Sequence, residues 1–120
     1  MTQIDITRAE AIARLNDNVR LGLDRNAKIV FTRACIKTLA GDNFARGIVV
    51  QAHLRSAIQD HQFGTDDPHG ERDFGAFEFR GERLFFKIDC YDLALEFGSE
   101  DPANASVTRR VMTIMLASDY

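Results

Sequence analysis

The chain has 120 residues, of which 45% are hydrophobic and 28% are charged. These values are typical of one globular domain with a single core, and they exclude disordered and collagen-like chains. Fifteen Lys and Arg against eighteen Asp and Glu leave a formal charge of −3. Because no basic field is present, we expect no direct binding to nucleic acid.

Two cysteines, Cys35 and Cys90, lie in apolar segments without the short paired spacing of a zinc ribbon or a redox motif. We expect both to be buried free thiols. The N-terminal "MTQIDITRAE" lacks the pattern of a secretory signal, and no apolar run approaches the roughly 20 residues of a membrane span. The sequence therefore predicts a single cytoplasmic domain, 1–120, without membrane contact.

The first two predicted elements are a helix and a strand. Thr7 and Glu10 form a capping box at a helix start. The apolar stripe that follows at helical spacing comprises Ile12, Leu15, Val19 and Leu23. Next, "KIVFTRACI", 28–36, is rich in β-branched and aromatic residues, so it predicts a buried strand.

The segment 41–61 predicts a second helix, with Asp42 or Asn43 as its N-cap. Gly47 weakens a helix by roughly 1 kcal/mol relative to Ala, so we expect it where the helix approaches the sheet closely. His53 lies off the apolar stripe and is expected on the surface. That stripe comprises Phe44, Gly47, Val50, Leu54, Ala57, Ile58 and His61.

From residue 74 the hydrophobic period changes to two, which predicts a β-hairpin with a two-residue turn at Arg80-Gly81 or Gly81-Glu82. One face is apolar and should meet the core: Phe77, Phe79, Leu84, Phe86, Ile88 and Cys90. The reverse face mixes aromatic and charged side chains: Phe74, Ala76, Glu78, Phe85, Lys87, Asp89 and Tyr91. A merely solvated face would not require such a mixture.

The rest of the chain predicts a short strand at 93–97 and a final helix introduced by Asp101-Pro102, with Asn104 or Ser106 as its cap. Its inner side would carry Val107, Val111, Ile114 and either Met115 or Ser118. The element order predicts an α+β fold. We expect an antiparallel sheet of three to four strands with three helices packed mainly on one face.

The loop "DDPHGERDFGAF", 66–77, joins the second helix to the hairpin. Asp67-Pro68-His69-Gly70 has the preferred composition of a type I turn. In an extended loop, however, every second residue would face one side: Asp67, His69, Glu71 and Asp73. Those groups would suit a divalent metal, or a carboxylate would orient His69 as a general base, with Glu71 and Asp73 as further catalytic candidates.

Neighbouring charged residues extend this hypothesis. Lys87, Asp89 and Asp92 lie in the partnered strand and its exit, near in register to the loop. No spacing matches a defined metal motif, and phosphate cradles and nucleophile elbows are missing from the sequence. A hydrogen-bonded structural loop, a binding surface and an acid-base or metal site therefore all stay open.

At these residues the chain resembles a small proteobacterial family, the domain of unknown function 3768. The likeness rests on "DPHGERDFGAFEFRGERLFFKIDCYD", "LEFGSEDPA" and "VTRRVMTIMLASDY", and it extends from about residue 11 to the end. Arg72 stands where the family pattern has a second histidine, Phe86 where it has Trp, and Cys90 where it has Tyr. The resemblance implies a mobile-element accessory protein, supplies no activity, and leaves a two-histidine metal site without its second histidine.

Two classes of function follow. In the first, the protein is a non-enzymatic module without a cofactor that docks a protein partner, for example as an anti-CRISPR or antirestriction inhibitor of a host defence complex. Its binding residues would be the loop 66–73 with Glu78, Phe85, Lys87, Asp89 and Tyr91. In the second, it is a metal-dependent hydrolase or nuclease that uses Asp67, His69, Glu71 and Asp73. The exposed aromatic hairpin face would also suit a homodimer.

Overall fold

The computed structural model describes residues 6–120, and this part of the chain folds into three helices and four strands. Two short 3-10 turns, Ala105–Val107 and Ala117–Asp119, flank the last strand. The fold is α+β, as the sequence predicted. In chain order the elements are α1 (Arg8–Arg20), β1 (Lys28–Phe31), α2 (Arg33–Ala40), α3 (Phe44–Gln59), β2 (Phe74–Phe79), β3 (Glu82–Tyr91) and β4 (Arg109–Leu116). None of the helices within 6–120 is long and apolar enough to cross a bilayer.

The four strands form one sheet in the order β1-β4-β3-β2. β2, β3 and β4 are antiparallel neighbours, whereas β1 runs parallel to β4 with Lys28 opposite Val111. The sheet is therefore mixed rather than purely antiparallel. Two antiparallel strands need only a tight turn between them, but a parallel pair needs a long connection, and here α2, α3 and the hairpin supply it.

The prediction of a final helix after Asp101-Pro102 is wrong, because residues Arg109–Leu116 form the strand β4. β4 lies in the middle of the sheet, between β1 and β3. Met112 and Ile114 point to one face and Met115 to the other, and all three are buried. A central strand that is apolar on both faces has no two-residue period, so its pattern was mistaken for a deeply buried helix. The segment 93–97 forms turns and bends instead of a strand.

The strand predicted over 28–36 ends at Phe31, and its second half belongs to α2. Thr32 caps this helix, since its hydroxyl oxygen accepts from the Cys35 amide at 3.3 Å. Cys35 and Ala40 then face the core. The β-branched residues before Thr32 obscured this N-cap, which is the sequence signal for the start of the helix.

The hairpin forms in the predicted register, with Phe79 opposite Glu82 and the two-residue turn at Arg80-Gly81. Both turn residues have positive φ, 50° for Arg80 and 83° for Gly81. This is the type I′ geometry that matches the twist of the two strands. The two faces of the hairpin also separate as predicted, and Leu84, Phe86 and Ile88 are buried.

The core lies between the three helices and one face of the sheet, which we call the helix face. Helix residues in this core include Val19 of α1, Cys35 of α2 and Leu54 of α3. On the sheet side it contains Leu84, Phe86, Ile88, Met112 and Ile114, with Ile29, Phe31, Phe77, Phe79 and Leu116 partly buried against them. The opposite face, which we call the open face, contributes no residue to this cluster.

Several predicted core positions on the helices shift. In α1 the buried residues are Ile12, Ala13, Asn16 and Val19, and Leu23 lies beyond the helix end and is 68% exposed. Asn43 caps α3 as predicted, but Phe44 is 83% exposed. Gly47 approaches Ile36 of α2 rather than the sheet. The buried side of α1 thus includes a polar residue, Asn16, whose side chain is hydrogen-bonded to Glu71 and Arg110.

The two cysteines are unpaired, as the sequence predicted. Cys35 is fully buried, and that burial raises the pKa of its thiol to about 11. Cys90 is only half-buried. Burial also raises the pKa of the Cys90 thiol, so both groups are held as neutral thiols.

Candidate functional site

A cleft of about 510 Å³ lies between the loop 66–73 and the open face of the sheet. The loop supplies one side, and strands β2 and β3 supply the other. Tyr120 closes one end from the last residues of the chain. The lining residues are Asp66, Pro68, His69, Asp73, Phe74, Phe85, Lys87, Ile88, Asp89 and Tyr120.

Three aromatic rings form the apolar wall of this cleft. Phe74 and Phe85 lie on neighbouring strands with ring centroids 4.9 Å apart. Tyr120 stands nearly edge-on to both, at 5.8 Å from Phe74 and 5.5 Å from Phe85. These are favourable edge-to-face distances. The alternation of β2 and β3 puts both phenylalanines on the open face, and Tyr120 completes the cluster.

Charged groups surround the aromatic wall. The Lys87 ammonium lies 3.1 Å from the Asp89 carboxylate, and both side chains are more than a third exposed. Asp73 and His69 are exposed at the mouth of the cleft. Surface pairs of this kind contribute at most about 1 kcal/mol to stability. The fold therefore does not depend on them, and they are free to contact another molecule.

The loop 66–73 is held by its own turn. The Gly70 amide donates to the Asp67 carbonyl at 3.3 Å, which confirms the predicted turn, and the Asp67 carboxylate accepts from the Arg72 amide at 2.9 Å. Gly70 has φ of 71° and Arg72 has φ of 51°. These two left-handed residues interrupt the extended backbone, so alternate side chains do not share one side.

The predicted catalytic and metal residues are consequently not gathered at one point. Asp73 lines the aromatic cleft and Glu71 lines a neighbouring cleft beside Arg8 and Pro102, whereas His69 borders both clefts. Asp67 is engaged with the loop backbone. Across residues 6–120, no group of three or more His, Cys, Asp and Glu side chains is placed to hold a metal ion.

The binding residues predicted on the hairpin all lie on the open face, but not all of them line the cleft. Phe85, Lys87 and Asp89 do. Tyr91 lies further along β3, and Glu78 pairs with Arg83 at 3.4 Å beside the turn. Asp92 lies beyond β3, where its carboxylate accepts from the Glu96 amide at 3.0 Å.

Arg72 anchors the loop to α1. Its Nε lies 3.1 and 3.0 Å from the two carboxylate oxygens of Asp17, and its terminal nitrogens donate to Glu10. These hydrogen bonds raise the pKa of Arg72 and hold that of Glu10 below its ordinary value. Arginine suits this role because its planar fork contacts two carboxylates at once. Arg72 thus has a structural role of its own in holding the loop.

A second anchor passes through the interior. The buried Asn16 donates from Nδ2 to the Glu71 carbonyl at 2.9 Å. Its Oδ1 accepts from Nε of Arg110 at 2.7 Å, and the Arg110 side chain also donates to the Pro102 carbonyl. Arg110 is only 2% exposed. The loop is therefore tied through α1 to the central strand β4, and it presents His69 and Asp73 on a fixed backbone.

Asp66 lines the cleft and is hydrogen-bonded to His61 behind it. His61 Nε2 donates to Asp66 Oδ2 at 2.8 Å, and the amides of Gly64 and Ala76 donate to the same carboxylate at 2.9 and 3.1 Å. Burial opposes ionisation, but these hydrogen bonds outweigh it and hold the pKa of Asp66 below its ordinary value. The sequence places Asp66 only within the loop 66–73 and does not indicate Tyr120, because the roles of both residues arise from tertiary contacts.

The metal hypothesis has a direct test. We expect no heat beyond dilution when Mn²⁺, Zn²⁺ or Mg²⁺ is titrated into the protein in a calorimeter. The reason is that Glu71 and Asp73 lie in different clefts and Asp67 is bound by its own loop. The matched variant is His69→Ala. Binding heat in the wild type that disappears in this variant would contradict our expectation and favour the metal-dependent alternative.

The fold and the cleft together define a class: a two-layer α+β protein whose open sheet face carries an aromatic and charged cleft. The chain belongs to the protein family of unknown function DUF3768, whose family model matches residues 33–119. The match confirms the resemblance, and it includes every residue that lines the cleft except Tyr120. No curated protein and no solved structure matches the chain.

Proposed function

We propose that this protein is a non-enzymatic, cytoplasmic binding module that docks a protein partner on the open face of its sheet. The single observation that carries the proposal is the aromatic wall of the cleft. Phe74, Phe85 and Tyr120 cluster on the open face, which contributes no residue to the core, and Tyr120 is 76% exposed. Phe74 and Phe85 are half-buried. Partly exposed aromatic side chains clustered beside polar groups are characteristic of interaction sites.

The distribution of charge supports the same proposal. The Lys87–Asp89 and Arg83–Glu78 pairs flank the aromatic cluster on the open face. Pairs that contribute little to stability still determine which partner fits, because a mismatched charge is costly at an interface. Aromatic anchors surrounded by such a polar rim are the common arrangement of binding sites.

A pull-down with matched variants tests the proposal. We expect the wild type to capture at least one protein from a host-cell lysate. We expect the cleft variant Asp73→Ala/Tyr120→Ala to lose it by about tenfold or more, since anchor residues cost more than 1 kcal/mol when truncated. Both residues are exposed, so the fold should survive. Quantitative mass spectrometry of the captured proteins is the readout.

The control is the variant Phe44→Ala/Asp60→Ala, which removes an exposed aromatic and an exposed acid from α3 and its C-cap. It should capture the partner as the wild type does. Equal capture by all three proteins would show that the cleft is not the interface. If the partner is a second copy of the chain, the cleft variant would instead abolish a dimer in analytical ultracentrifugation. A captured CRISPR or restriction subunit would support the finer proposal, an inhibitor of a host defence complex.

A further inference from the structure

Negative charges outnumber positive charges among the residues that line the cleft. Asp66, Asp73 and Asp89 line it against one ammonium group, that of Lys87. Lys87 pairs with Asp89, and Asp66 is bound by His61 and two backbone amides. Among the residues that the structure describes, Asp73 has no ion-pair partner. The cleft is therefore net negative, with one free carboxylate at its mouth, and it attracts a cation.

The aromatic wall narrows the choice of cation. The face of an aromatic ring attracts a cation that lies over it, and a guanidinium also stacks flat upon it. This protein already uses that contact: the Arg20 guanidinium lies 5.3 Å from the centroid of Phe63, and that of Arg80 lies 5.0 Å from Phe79. At the wall itself, the guanidinium of Arg83 lies 5.9 Å from the centroid of Phe85. A guanidinium also donates two parallel hydrogen bonds to a carboxylate, which an ammonium group does not.

We propose that the cleft receives an arginine side chain of the partner protein, with its guanidinium against the Phe74–Phe85–Tyr120 wall and paired with Asp73. This inference rests on the proposed function and names the chemistry of the partner. We take the occupant to be an arginine within a polypeptide, because the proposed function is the docking of a protein partner, and the free amino acid is the alternative that the experiment compares with it.

The experiment is an NMR titration of the ¹⁵N-labelled protein with N-acetyl-arginine amide. Its matched control is N-acetyl-citrulline amide, which has nearly the same shape and no charge. We expect saturable shifts of the amides of Asp73, Phe85 and Lys87 with the arginine compound, at millimolar affinity, and none with the citrulline compound. Raising the salt concentration should weaken the binding, because the cleft mouth is exposed.

Two variants give opposite signs. Asp73→Asn removes the free carboxylate and should weaken binding of the arginine probe by about two- to fivefold. Lys87→Gln removes the one ammonium and releases Asp89, so it should strengthen binding by a similar factor of about two. Loss of structure would weaken binding in both variants, so the opposite signs separate recognition from stability.

Three results would overturn the inference: equal shifts with the citrulline compound, no saturable shifts with the arginine compound, or tighter binding of free arginine than of the capped form. The last would assign the cleft to a small molecule. The proposed function stands or falls separately. If the arginine probe fails while Asp73→Ala/Tyr120→Ala still loses its partner, the cleft docks a partner of different chemistry.

Discussion

Replacing Gly75 by alanine is expected to lower the free energy of unfolding by about 2–3 kcal/mol. Gly75 lies in β2 directly opposite Phe86 of β3. An alanine Cβ there would overlap Cε1 and Cζ of Phe86 and lie 3.0 Å from Nε2 of His61. Phe86 is fully buried, and its ring packs edge-on to His61 at 5.3 Å. Neither ring has free space to move into, so the added methyl group forces a shift of the core.

Urea unfolding followed by circular dichroism measures this effect. The matched control is Gly98→Ala, because a Cβ at Gly98 meets no atom within 4 Å and its φ is not positive. We expect that control to change stability by less than about 0.5 kcal/mol. If the steric overlap with Phe86 is the cause, Gly75→Ala/Phe86→Leu will cost less than the sum of the two single variants. Strictly additive losses would rule out this cause.

The part of the fold that the sequence predicted best is the hairpin. Its strands have one apolar and one mixed face, so side chains of opposite faces separate by a simple two-residue period. A one-residue error in register would have put Leu84 and Phe86 into water. Arg80-Gly81 then accepts the positive φ values that the short turn needs. The two-residue hydrophobic period and the tertiary packing agree in the hairpin, and the structure therefore confirms the predicted register.

β4 and α2 were missed for a shared physical reason. β4 carries apolar residues on both faces, so Met112, Ile114 and Met115 remove the alternation that would mark a strand in the sequence. α2 has eight residues and follows β1 after a single residue, Thr32. Its β-branched and aromatic neighbours outweighed the cap signal. In both segments the surroundings in the folded protein, rather than the local propensity, select the structure.

The sequence indicated some of the residues that line the candidate site but not how the loop arranges them. Phe85, Lys87 and Asp89 followed from the alternation of β3, and His69 and Asp73 from the composition of the loop. Tyr120 could not be found, because no periodicity links it to the hairpin. The predicted convergence of Glu71 with Asp73 was lost when two left-handed residues turned the loop backbone. The left-handed conformation of a residue such as Arg72 is set by its contacts in the folded protein and cannot be read from the local sequence.

Replacing Asp66 by alanine is expected to lower the free energy of unfolding by about 2 kcal/mol at pH 7, since hydrogen bonds to a charged group contribute about 1.5–3 kcal/mol. The loss also leaves the partly buried donors of His61 and Ala76 without this acceptor. The Asp66 side chain is 17% exposed. Its carboxylate accepts from His61 and from the amides of Gly64 and Ala76. The Ala76 contact also covers part of the sheet edge formed by β2, which would otherwise present an unpaired amide.

The pH dependence identifies the ionised carboxylate as the cause. The pKa of Asp66 is lower in the folded protein than its ordinary value. Its contribution is therefore complete above the ordinary aspartate pKa of about 3.9, and it is lost as the pH falls through the lower folded value. The difference in stability between wild type and Asp66→Ala should accordingly shrink as the pH falls below about 4.

Urea titrations at several pH values give this difference directly. Asp60→Ala is the matched control, because Asp60 is exposed and its loss should change stability by less than about 0.5 kcal/mol at any pH. A difference for Asp66→Ala that persists undiminished into strong acid would assign the effect to packing rather than to charge. Asp66 lines the cleft and its carboxylate accepts a hydrogen bond from the Ala76 amide of β2. Its loss should therefore also broaden the NMR signals of residues 66–73. The cleft then keeps its aromatic wall and loses the fixed position of Asp73, which should weaken the arginine probe even where the fold survives.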